Sequence, residues 1–127
     1  MKRYIATLAL SAVLFIAGCA AQQIHPGAAN SFDSSTYDAL IVTQSVINTT
    51  KADLAVNSFP ASIAPKVKSA VNALSTTYDI ALATYMTYHN AAIAGTATTA
   101  QATAVSDAVQ NVNNATTALT AAKAGKP

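Results

Sequence analysis

The chain has 127 residues, 52% of them hydrophobic and only 9% charged, with one Cys and no Trp. That is one small domain, and neither an internal disulfide nor a Cys/His zinc site is available to staple it. The net charge of +2 comes from Lys2 and Arg3. Past the leader, five lysines balance five aspartates, which excludes the basic stripe that nucleic-acid binding needs and any strongly acidic face.

The first elements are targeting signals. Met1-Lys2-Arg3-Tyr4 is a short basic start, and residues 5–17 (IATLALSAVLFIA) form an uncharged, mostly apolar run. This run is shorter than the roughly 20 residues a permanent membrane-spanning helix needs, and no basic stop-transfer cluster follows it. It reads as a cleaved secretory signal. It closes on Ile16-Ala17-Gly18-Cys19, an aliphatic residue, two small residues and a Cys. The segment resembles the lipobox leader of bacterial lipoproteins. The resemblance implies that residues 1–18 are removed and that Cys19 becomes the first residue, with diacylglyceryl and acyl chains such as palmitate. It implies an anchored cell-envelope protein with no other cofactor. Because Ala20 rather than Asp follows the Cys, the resemblance points to the outer membrane of a Gram-negative host, on its periplasmic or outer side. Two or three acyl chains suffice for stable attachment without a spanning helix.

Residues 19–30 have no periodicity, carry Pro26-Gly27, and read as a tether. The domain proper, 31–127, is punctuated at Asn57-Ser58-Phe59-Pro60 and at Gly95-Thr96. Three helical segments result. In the first, about 34–57, Ser35 and Asp38 suggest a capped start, and Leu40, Ile47 and Leu54 recur every seven residues. The second, about 61–94, carries Ile63, Val67, Val71, Leu74, Tyr78, Leu82 or Ala81, Tyr85 and His89 at three- or four-residue steps. Ser58 or Ser62 is a candidate cap, Pro65 belongs in the first turn, and Gly95 is placed to end the helix. The third, about 98–124, opens on Thr98-x-x-Gln101 and continues with Val105, Val109 or Ala108, Val112, Thr116 or Ala115, and Leu119. Together these predict an all-α domain, an antiparallel three-helix bundle.

The one aromatic-rich stretch, residues 85–90, supplies a candidate interaction patch: Tyr78, Tyr85, Met86, Tyr88 and His89. Its plainer reading is core tyrosines with a His closing the seam. Met86 and His89 could share an ion, but two ligands with no carboxylate close in sequence do not make a metal site. The aspartates are single, the lone Cys belongs to the lipobox, and no phosphate loop, dinucleotide fingerprint or nucleophile motif occurs. A non-catalytic role is therefore expected. Thr76, Thr87, Thr98 and Thr120, spaced by multiples of eleven, resemble the threonine face of ice-binding helices, but Gly95 interrupts the series.

Two binding roles remain, with the membrane as the common partner through the anchor. One is an accessory or structural protein that contacts another envelope protein through apolar residues off the main seam: Phe32, Val42, Val46 and Val56. The other is self-association, as in the small Ala-rich lipoproteins lining the cell wall, which this chain resembles in composition. It departs from them in ending Lys126-Pro127 rather than on a terminal Lys. A third, lesser reading is a ligand pocket between the second and third helices, where Val and Ala leave room.

Overall fold

The computed structural model describes residues 27–125, so the lipobox residues Ile16, Ala17, Gly18 and Cys19 lie outside the described part, as does Lys126. The described chain forms three helices: α1 (Ser31–Ala55), α2 (Ala64–Ile93) and α3 (Thr99–Lys123). They pack as the expected three-helix bundle. The α2–α3 contact is the most extensive, α1 lies against α2, and α1 and α3 meet only sparsely.

The helix ends are set by local chemistry. α1 begins three residues earlier than the sequence reading placed it, because Asn30 is the cap: its side chain accepts the Asp33 amide at 2.8 Å. Ser35 and Asp38 are therefore inside the helix. α1 ends at Asn57, whose φ of 56° is left-handed, with the Ser58 amide reaching Asp53 O at 2.9 Å and the Asn57 amide reaching Leu54 O at 3.2 Å. Asn tolerates that conformation better than most residues, and the two bonds satisfy otherwise orphaned carbonyls. Gly95 does the same for α2 at φ 75°, and Thr96 N reaches Ala91 O at 2.8 Å. Neither Ser58 nor Ser62 caps α2. No side chain does, and Pro65 occupies the first turn, where its missing N–H costs nothing. α3 opens with the expected reciprocal cap, Thr98 Oγ1 accepting the Gln101 amide at 3.2 Å and Gln101 Oε1 accepting the Thr98 amide at 2.9 Å.

The core follows the predicted seams of α2 and α3: Val67, Val71, Leu74, Tyr78, Ala81 and Tyr85 against Val105, Ala108, Val112 and Leu119. On α1, Leu40 and Ile47 are buried and Leu54 packs against the cluster from its edge. Between them sit Thr36, Thr43 and Thr50, also buried. Each threonine donates its hydroxyl to the carbonyl four residues back: Phe32 O at 2.8 Å, Ala39 O at 2.9 Å and Val46 O at 2.8 Å. With the hydroxyl satisfied inside its own helix, the methyl and Cβ serve as apolar packing surface. Tyr37 and Ile41, the neighbouring apolar residues of α1, project outward.

Candidate functional site

The helices bring the chemistry-bearing residues together at one end of the bundle, where α1 starts and α2 finishes. Asp33, in the first turn of α1, is completely buried. Its Oδ2 accepts the backbone amide of Ala29 at 2.7 Å and lies 2.7 Å from Nδ1 of His89 on α2. An ionised carboxylate only accepts, so Nδ1 carries a proton and donates it in this pair. The Tyr85 hydroxyl stands 3.5 Å from the same Nδ1, with the Tyr85 and His89 rings 5.6 Å apart. A second link runs beside it, from Asn30 Nδ2 to the Tyr88 hydroxyl at 3.0 Å, and the Phe32 ring meets the Tyr88 ring edge-on at 5.2 Å. Three residues around the start of α1, Asn30, Phe32 and Asp33, are thus fastened to the last turns of α2.

The electrostatics of the pair are set by two opposing effects. Burial pushes the Asp33 carboxyl up, but the Ala29 amide, the nearby Tyr85 hydroxyl and His89 outweigh it, and the carboxyl is held below its ordinary value. Tyr85 moves strongly the other way, through burial first and then the adjacent Asp33 charge. Tyr78 is raised by burial and by Asp79, and its hydroxyl donates to Gln44 Oε1 at 3.2 Å. One atom is left over: Asp33 Oδ1 is buried without a hydrogen-bond partner.

This arrangement changes the standing of the five residues singled out as a patch. Tyr78, Tyr85 and Tyr88 are buried core residues, His89 keeps 20% of its side chain exposed, and Met86 alone of the five is well exposed. They do not form a continuous surface. His89 does have a carboxylate beside it, but one supplied by Asp33 from another helix. Asp33 binds the imidazole through Nδ1 and the backbone of Ala29, and this is a structural clamp rather than a ligand set. Among the described residues no three His, Cys, Asp or Glu side chains converge as a metal site.

The off-seam apolar residues of α1 divide. Val46 is buried in the core and drops out as a contact residue. It joins the core because α1 buries a broad stripe that extends past the heptad line. Val42 is half-buried, Phe32 is 37% exposed and Val56 72% exposed. Phe32 opens a shallow groove of about 250 Å³ along the loosely packed α1–α3 seam, lined further by Thr36, Ala39, Val109, Gln110 and Asn113. This groove lies between α1 and α3, whereas the sequence placed the expected pocket between α2 and α3. The threonine series is also dispersed: Thr76 and Thr87 lie exposed on α2, Thr98 caps α3 and Thr120 is half-buried.

Among the described residues no helix is long and apolar enough to cross a membrane. Comparison with protein-family models, with characterised proteins and with solved structures finds no match to this chain.

Proposed function

We propose that this chain is a lipid-anchored protein of the bacterial cell envelope, attached through Cys19 at the outer membrane, whose helical bundle serves as a structural or accessory binding element and not as an enzyme. The observation that carries the reading is the ordered leader: basic start, apolar run, then Ile16-Ala17-Gly18-Cys19. The uncharged α1–α3 groove and the exposed Phe32 and Val56 are the supporting features for a protein partner. The Asp33–His89 pair ties the start of α1 to the end of α2, which supports a structural part for these two residues in this reading.

The test is fractionation of cells expressing the wild-type chain or Cys19→Ala, with the mass of the N-terminal peptide. Wild type should sediment with membranes and carry acyl mass on Cys19, and the variant should be released without it. A variant that stays membrane-bound with no lipid mass refutes the anchor. Crosslinking in native envelopes then separates the two binding roles: a stoichiometric foreign protein marks an accessory subunit, and lipidated self-oligomers mark a self-associating one.

A further inference from the structure

Charge is distributed unevenly along the bundle. Residues 80–106, which form the second half of α2, the turn and the start of α3, contain no Lys, Arg, Asp or Glu. At the same end Asp33 is buried and paired, and the nearest other charges, the half-buried Asp38 and the exposed Asp107, lie about two turns into α1 and α3. The surface there is made of Phe32, Ile93 (58% exposed) and the exposed small residues 94–100. The opposite end carries Lys51, Lys66, Lys68 and Lys123 against Asp53. Lys51 reaches Ser75 Oγ at 3.4 Å. Lys123 is partly buried, and its ammonium is held below the ordinary lysine value by desolvation, against the opposing pull of Asp53. Gly125 lies beside Ile63, which puts the end of α3 next to the start of α2. At 1.5 Å per residue, the 30 residues of α2 separate these two ends by about 45 Å.

The chain arrives from Cys19 at the uncharged end. Eight residues from Cys19 to Gly27 reach at most about 28 Å even when fully extended, and the Asp33–His89 and Asn30–Tyr88 links fasten the arriving chain to the last turns of α2. We propose that the bundle rests on the membrane by the end that carries Phe32 and Ile93, with the lysine-bearing end held away from the lipid surface. The inference rests on the lipid anchor proposed above and adds the orientation. An uncharged end with exposed apolar side chains loses little on approaching headgroups, and each apolar group that enters the boundary is stabilised there. The competing geometry lays the bundle flat, so that its lysines meet anionic headgroups. It would also press the exposed Thr and Asn side chains of the outer faces against lipid, beside the exposed Ile41, Ile80 and Met86.

The absence of Trp makes the test direct. Ile93→Trp and Val56→Trp each install a single Trp, one at either end, at positions that are exposed and outside the clamp. The lipidated proteins are reconstituted in phosphatidylethanolamine–phosphatidylglycerol vesicles, and emission is quenched with brominated acyl chains from the bilayer or acrylamide from the water. Bromolipid quenching should be at least threefold stronger for Ile93→Trp, and acrylamide quenching stronger for Val56→Trp. Equal bromolipid quenching at both ends, or the reverse order, overturns the orientation while leaving the anchor intact. Absence of acyl mass on Cys19 in the same preparation overturns both. Adding Asp33→Asn to Ile93→Trp, with helicity checked by circular dichroism, should bring the two ends closer in quenching. An unchanged ratio removes the clamp from the account.

Discussion

Replacing Asp33 by Asn keeps the shape of the side chain and removes its charge, which isolates the contribution of the clamp. In the wild type, Oδ2 accepts two hydrogen bonds at 2.7 Å, one from Ala29 N and one from His89. An Asn oxygen can keep the backbone bond, but the charge-assisted bond to His89 is lost, and such bonds contribute about 1.5–3 kcal/mol. Because the carboxylate is wholly buried and His89 only one-fifth exposed, solvent screening reduces this little. The expected destabilisation is therefore about 2 kcal/mol, or a fall in Tm of roughly 8–16 °C for a domain of this size. The pH dependence gives a second, independent reading. The folded carboxyl is held below its unfolded value of 3.8, so its contribution is fully present above that value. As the pH falls, the unfolded chain takes up the proton first and the advantage shrinks, vanishing once the pH has dropped through the lower folded value. Urea unfolding followed at 222 nm should show a gap between wild type and Asp33→Asn that narrows as the pH falls below 3.8. A double-mutant cycle with His89→Gln should give a coupling of at least about 1 kcal/mol. Coupling under about 0.5 kcal/mol, or a gap that does not narrow in acid, would refute the clamp.

Two further changes probe the frame around it. Leu74→Ala empties a position with no solvent exposure in the middle of α2 and should cost about 2–5 kcal/mol in denaturant unfolding; a cost under about half a kcal/mol would mean that the register of the bundle is wrong. Gly95→Ala meets nothing within 4 Å but must hold φ at 75°, so a loss of about 1–2 kcal/mol is expected from backbone conformation alone, and no loss would place the end of α2 elsewhere.

How much of this was legible in the sequence depends on what each residue type announces. The seams of α2 and α3 were readable because Val, Leu and Tyr at three- and four-residue steps are apolar on any scale, and Thr98-x-x-Gln101 states its own cap. α1 was half legible. Its heptad of Leu40, Ile47 and Leu54 stood out, while the alternate core positions Thr36, Thr43 and Thr50 were hidden by a polar side chain that satisfies itself within the helix. The start of α1 was misplaced although Asn30-x-x-Asp33 carries a capping signal, because Ser35 and Asp38 offer a competing one three to five residues on. The clamp was not legible. Asp33 and His89 are 56 residues apart, and only the antiparallel pairing of α1 with α2 makes them neighbours. Val56 and Val46 could not be told apart from spacing, since the difference between a helix flank and a helix end is decided by where the turn falls.

The same comparison bears on what kind of binding surface the bundle offers. The tyrosines of the expected patch are spent inside, where they link α2 to α1: Tyr78 to Gln44 at mid-helix, and Tyr88 to Asn30 and Phe32 at the helix end. The outside carries an uncharged end, a lysine-bearing end, the exposed side chains of Tyr37, Ile41, Ile80 and Met86, and a groove along α1 and α3 bordered by Ser, Thr, Gln and Asn as much as by Phe32 and Val109. A groove of that composition has few of the large apolar anchors that dominate tight interfaces. On the proposed lipid anchor, a protein partner at this groove would owe most of its occupancy to confinement at the same membrane, so crosslinking to it should fall by orders of magnitude when Cys19 is replaced by Ala; undiminished crosslinking would show that the groove binds on its own.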